Sequence, residues 1–452
     1  MAKTVNMTQG KPVKLLFSFA LPLMFGNIFQ QLYTVVDTAI VGQGVGLTAL
    51  AALGTVDWFN WMMMGIAQGY SQGFCVRISQ KYGEGDIEGI KKVIGQSAVL
   101  SVLIAIGWTT IAQLGLPLIL KMLRVPKELI PLSSLYTRIM IVGFSATMFY
   151  NFCSAVLRAV GDSKTPLKAM AVASVTNIVL DSIAVFVMKW GIGGAAAATV
   201  FSQCLAGVLC AGQMAKTPEL HFSKVHRNRD FGMKKDLMGL GTPIALKNIV
   251  VAVGGMTVQS VVNGFTMSFI GGFTATNKLY GLLEIAAISY GYAVTTYVGQ
   301  NYGANRTDRI RDGIKAAVVL SVATSVLIGI LMIVFGREIT MLFISSDNQE
   351  LLIAAGNTAY TYLFIMSVFL PILYMLYVYL SALQGMGNTK VPLFSGVIEF
   401  VIRVGIALTV GFTGYKSGIF GAEVVAWTGS MVYLMVNYYQ CIESASENIS
   451  SN

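Results

Sequence analysis

Gln30, Tyr33 and Asp37 are spaced i, i+3, i+7, and so are Ser174, Asn177 and Asp181. On an α-helix that spacing puts each trio on one stripe. Both stripes end in a carboxylate and lie in apolar runs long enough to cross a bilayer, which takes about 20 residues. An acid at that depth costs about 2.5–3.5 kcal/mol on insertion scales, so it should face protein or water. If the two stripes face each other, the desolvated carboxylates resist ionising together and titrate as a coupled pair able to accept a proton near neutral pH. The same oxygens, with Asn177 and Thr199, could instead ligate a hard monovalent cation. Residue types alone do not separate these chemistries. A purely structural use, capping a kink or pairing with a base, finds few partners, because Arg138 is the one base in the neighbouring first-half spans away from their cytoplasmic ends.

The elements that must hold these groups are membrane helices. The chain has 452 residues, 55% hydrophobic and 12% charged, with a mean hydropathy of +0.68. Soluble domains carry about 25% charged residues, so this is an integral membrane protein. The net charge of +10 sits mostly in short connectors between apolar runs, a topology signal rather than a nucleic-acid surface. The five cysteines form no CxxC pair and read as packing residues. His221 and His226 lie in a polar connector, which excludes an intramembrane histidine relay. The paired glycines lack a following Lys-Ser/Thr, so no nucleotide-driven step is expected. No nucleophile–base constellation points to an enzyme, and no cofactor is implied. The first apolar run is too long for a cleavable signal.

Hydropathy predicts twelve spans, at about 14–42, 47–77, 90–115, 129–158, 165–188, 191–214, 236–263, 270–299, 310–335, 351–385, 391–414 and 418–441. Placing both termini in the cytoplasm puts 21 bases inside and 6 outside, with 4 within spans. The inside set includes Lys3, Lys224 and Arg229, and the outside set Arg124. The chain also repeats itself. Pro22 and Asn27 recur as Pro243 and Asn248, and Gln80, Tyr82 and Gly83 as Gln300, Tyr302 and Gly303. Leu157, Gly161, Lys164 and Pro166 recur as Leu383, Gly387, Lys390 and Pro392. Each copy holds six spans, so both enter the membrane alike, a parallel repeat of the kind several transporters use. The expected fold is an all-α polytopic membrane protein of twelve transmembrane helices in two six-helix lobes. The lobes are 1–228, including a basic cytoplasmic linker, and 229–452.

The copies diverge in polarity. On the repeat register Asp37 corresponds to Val258, Asn177 and Asp181 to Arg403 and Ala407, and Thr199 to Ala426. The second half instead carries Lys247, Lys278, Glu284, Glu399, Arg403 and Glu423, three bases that can balance three acids. Glu399 and Arg403 are i, i+4 and can pair on one helix.

Taken together, Pro22, Asn27, the VVDTAIVG run ending at Gly42, the repeated Gln-x-Tyr-Gly element and the Asn177–Asp181 pair resemble the multidrug and toxic compound extrusion (MATE) family over essentially the whole chain. The resemblance implies a secondary antiporter with two lobes around a central cleft. It would expel organic, often cationic, small molecules in exchange for protons or sodium. It also implies a cation site at Asp37, Asn177, Asp181 and Thr199, with Gln30, Tyr33 and Ser174 lining that lobe's cavity and Pro22 bending the first span. The protein would work as a monomer in the plasma membrane, touching lipid and no nucleic acid. One departure stands out: spans seven and ten lack the internal acids that some branches use as a second site. The rival reading is a flippase of lipid-linked oligosaccharides, for which Lys247, Lys278 and Arg403 could hold a diphosphate.

Overall fold

Twelve long α-helices form the chain in a computed structural model that describes residues 5–123, 125–223, 225–227, 230–341, 343–344 and 348–450. The first six are α1 (Pro12–Gly44), α2 (Leu47–Glu84), α3 (Ile87–Met122), α4 (Ile130–Ala159), α5 (Lys164–Ser182) and α6 (Gly191–Met214). The second six are α7 (Phe231–Val262), α8 (Met267–Gly303), α9 (Thr307–Met341), α10 (Gln349–Gly385), α11 (Lys390–Thr413) and α12 (Gly421–Ser450). Ten of these stretches are long and apolar enough to cross a membrane. The other two, α2 and α8, occupy the same place in each half and are of similar length. Their low apolarity has a cause: both are rich in Gly, Ser, Thr, Gln and Tyr, and many of those side chains are buried in protein. Lys3, Arg124, Lys224 and Arg229 of the charge count lie outside the described residues.

The repeat is visible in the packing. In the first half α4 packs on α2, α3 and α6, and α5 packs on α6. In the second, α10 packs on α8, α9 and α12, and α11 on α12. The turns that join equivalent helices also match, since Gly161 has φ 88° and Gly387 φ 87°. Only glycine adopts that backbone at little cost, which explains the recurring Leu-x3-Gly-x2-Lys-x-Pro pattern.

Two compact units emerge, and they do not divide at the middle of the chain. One comprises Leu21–Leu246 with Val5 and Asn6; the other comprises Met7–Ala20 with Lys247–Asn452. The division cuts α1 one residue before Pro22 and α7 three residues after Pro243. Proline lacks the N–H that would bond four residues back, so each helix is short of a bond near its division point.

In the second unit the segment at Met7–Gly10 is tied down tightly. Met7 is fully buried, and its N–H donates to Gln300 Oε1 at 2.8 Å. Asn301 Nδ2 donates to Met7 O at 3.1 Å. Arg309 Nη2 donates to the carbonyls of Met7, at 3.2 Å, and Gly10, at 2.9 Å, while its Nε holds Asn301 Oδ1 at 3.0 Å. The repeated Gln-x-Tyr-Gly element thus supplies, in its second copy, a clasp for the chain's beginning. Hydrogen bonds from charged groups contribute about 1.5–3 kcal/mol each when buried and less when part-exposed. Arg309→Ala should therefore lower stability by about 1–3 kcal/mol and speed proteolytic cleavage before residue 12. Thermal unfolding and limited proteolysis check this; unchanged cleavage there would show the clasp to be dispensable.

Candidate functional site

In the first unit α1 and α5 run side by side in the same direction. Gly26 lies against Leu167, Ser174 Oγ donates to Phe29 O at 3.2 Å, and Gly44 lies against Val185 and Phe186. A Cβ on Gly44 would fall 2.3 Å from Val185 Cγ1, so only glycine allows this approach. With both helices registered at three points, Asp37 and Asp181 must meet between them.

The end of α5 departs from α-helical geometry. Residues Ile183–Val187 form a π-turn, followed by Lys189 at φ 55° and Gly191 at φ 60°. Trp190 N–H closes the bend on Ala184 O at 2.9 Å. π-turns interrupt helices mostly where function re-aims a side chain. Here the bend sends α6 straight back along α5, bringing Thr199 opposite Asn177. Asn177 Nδ2 donates to Thr199 Oγ1 at 3.4 Å.

Asp37, Asn177, Asp181 and Thr199 are therefore brought together and are all buried, Asn177 and Asp181 completely. The two carboxyl groups are close enough to interact electrostatically. Neither ionised form carries a proton to share, so a direct bond exists only when one is protonated. Asp37 Oδ1, both oxygens of Asp181 and Asn177 Oδ1 are buried without a hydrogen-bond partner among the described residues. Buried polar atoms are almost always satisfied, so a cluster of orphaned acceptors marks a place built for a donor or a cation. The donor set, two carboxylates with an amide and a hydroxyl oxygen, suits a proton or a hard monovalent ion.

The remaining expected residues surround this cluster with specific partners. Tyr33 OH accepts from Gln203 Nε2 at 3.1 Å, which ties α1 to α6. Ser174 is used by the bond to Phe29 described above. Gln30 is half-buried with Nε2 3.9 Å from Met64 Sδ. Pro22 is half-buried within an unbroken α1, about four turns from Asp37. Two further residues belong to the neighbourhood. Tyr136 of α4 is buried within electrostatic range of Asp37, Asp181 and Asp57, and Asp57 is an exposed acid on α2. Asp57 was readable as an acid within an apolar run; nothing in its local sequence singles out Tyr136.

The second unit treats its charges differently. Arg403 pairs with Glu423 at 2.7 Å and Glu399 at 3.3 Å, all nearly buried. Ser430 Oγ donates to Glu399 Oε1 at 3.2 Å. Glu284 accepts from Tyr377 OH at 2.5 Å and Tyr280 OH at 3.2 Å. Lys247, buried on α7, lies over the Tyr377 ring at 5.8 Å. Gly396 of α11 leaves room for its stem, since a Cβ there would fall 2.7 Å from Lys247 Cγ. The expected balance of three bases against three acids fails at Lys278, which is exposed on α8. Solvent or headgroups can hold that charge, so the buried set has two bases.

Two stretches of the chain, residues 22–183 and 243–409, match the family model described as MatE. The chain is 31% identical over 346 residues to the probable multidrug resistance protein YpnP of Bacillus subtilis, covering 76% of this chain and 78% of that one. It is 25% identical over 418 residues to the probable multidrug resistance protein NorM of Thermotoga maritima, covering 91% and 88%. Among solved structures, a MATE transporter crystallised with MaL6 superposes with a TM-score of 0.91 at 21% identity, over 99% of this chain and all of that one. An outward-facing multidrug resistance MATE transporter gives 0.91 at 22% identity, over 98% of each.

The contrast between the units gives a test. Arg403→Met strands two buried acids and should cost about 3–5 kcal/mol. Asp181→Asn removes an unpaired buried charge and should leave the melting temperature equal or higher. Thermal unfolding of both variants in detergent reads the difference; equal destabilisation would mean that the Asp181 carboxylate is structurally paired.

Proposed function

The chain belongs to the MatE family, and from that premise we propose that it exports organic, cationic drugs or metabolites in exchange for protons or sodium. It is a multi-pass membrane transporter and not an enzyme, as the family is. The single observation that carries the coupling is the buried cluster of Asp37, Asp181 and Asn177, in which Asp37 Oδ1, both Asp181 oxygens and Asn177 Oδ1 have no donor among the described residues. Asp37 and Asp181 hold the proton or sodium ion, with Asn177 and Thr199 completing the oxygen set. Gln30, Tyr33 and Ser174 border the cavity in which the organic cation is received.

A ligand shifts a conformational equilibrium only through its different affinity for the two states. An ion at the acid pair reduces its negative charge by one and favours one conformation; loss of the ion restores that charge and favours binding of the organic cation. Competition for the same acids is thus enough to couple the two flows. Pro22, beside the point where α1 passes from one compact unit to the other, supplies the bend in α1 that accompanies the exchange. The protein works as a monomer in the plasma membrane, with both termini cytoplasmic, as the distribution of basic residues favours.

Export of lipid-linked oligosaccharides is less well supported. Holding a diphosphate needs free bases, whereas Arg403 is already paired to two glutamates and Lys247 lies in the field of Glu284.

Transport of a cationic dye by proteoliposomes tests the proposal, wild type beside Asp37→Asn, with proton and sodium gradients imposed separately. One gradient should drive dye movement in the wild type, and the variant should fall to the level of empty liposomes while still inserting into the membrane. Undiminished coupled transport by Asp37→Asn would falsify the assignment.

A further inference from the structure

We propose that a lipid-facing groove on the outer face of α4 is a phospholipid site, with Arg138 holding the phosphate and the apolar floor holding an acyl chain. Two adjoining cavities form it. One, of about 680 Å³, lies over α4 between α3 and α6 and includes Arg138, Gln113 and Phe201. The other, of about 580 Å³, continues between α3 and α4 to Phe152 and Phe222. Val142 and Ser145 line both, so the groove is continuous. From Arg138 to Phe152 it runs about 21 Å along the helix at 1.5 Å per residue. That exceeds one leaflet's share of the roughly 30 Å hydrocarbon core, enough for a whole chain. Its walls are exposed apolar side chains such as Val102, Ile106 and Phe201.

Arg138 makes this groove specific. It lies eight residues into α4, within a segment long and apolar enough to span the membrane. Its Nη1 donates to Gln113 Oε1 at 3.1 Å, and Gln113 Nε2 donates back to Arg138 O at 2.8 Å. No carboxylate forms an ion pair with it among the described residues. A guanidinium offers five N–H donors in a planar fork suited to phosphate, and among the described residues one of them is used. Helical side chains lean toward the N-terminus, so the guanidinium points to the α3–α4 turn, where headgroups lie. Lys121 and Lys127 are exposed at that turn and outweigh Glu128. An unpaired cation at the headgroup end of an apolar groove fits an amphiphile with an acidic head, and an anionic phospholipid is the one a bilayer supplies. The second half does not repeat the arrangement: there the base, Arg337, sits on α9 and bonds Asn357 of α10 at 3.4 Å.

Native mass spectrometry of the delipidated protein, titrated with phosphatidylglycerol, reads the site directly. A base near the membrane surface contributes roughly 1 kcal/mol toward an anionic lipid, so Arg138→Gln should lower occupancy of the tightest site about fivefold. Arg138→Lys should retain most of it. Val142→Trp, which fills the groove and keeps the charge, should lose it as well, and Arg337→Gln should behave as wild type. Inorganic phosphate should neither bind measurably nor displace the lipid. The proposal is overturned if Arg138→Gln or Val142→Trp binds the lipid as wild type does, if Arg337→Gln loses as much, or if phosphate alone displaces it.

Discussion

Two carboxyl groups held side by side out of water, without a base to answer them, set the terms for the first unit. Taking a single carboxylate from water into a protein interior costs several kcal/mol even after relaxation. Asp37 and Asp181 incur that cost together, and their orphaned oxygens are not relieved by neighbours. The surrounding fold must therefore be rigid enough to keep them in place. The three-point registration of α1 on α5 and the π-turn that folds α6 back onto α5 supply that rigidity. Each depends on a small residue or a bend where a regular helix would fail.

The second unit solves the same problem by pairing. Arg403 answers two glutamates, two tyrosine hydroxyls answer Glu284, and Lys247 rests on a tyrosine ring. A common scaffold with the same helix contacts thus encloses one cluster whose charges are paired and one whose charges are not. Natural proteins tend to break the rules of burial where they act and to obey them elsewhere. By that criterion the first unit is where chemistry is to be sought.

Much of this was legible in the residues. Helix positions followed hydropathy, and i, i+3, i+7 spacing set each polar stripe on one helix face; the packing of α1 on α5 brought the two acids together. Extensions such as α2 to Glu84 and α8 to Gly303 were not visible, because a helix that leaves the bilayer loses its hydropathy signal while keeping its backbone bonds. The π-turn after Ser182 has no side-chain period to betray it. Tyr136 joined the acids only through packing of α4. Lys278 was counted among the bases that balance the acids because position along a span says nothing about which face a side chain takes.

The clasp around Met7 also bears on synthesis. Met7 is made well before its partner Gln300, which lies 293 residues later. At about 5–20 residues per second, the Met7 segment waits roughly 15–60 s for the groups that will hold it. During that interval α1 must enter the membrane with its leading segment unanchored. The second unit therefore includes a segment made before any of its other helices existed.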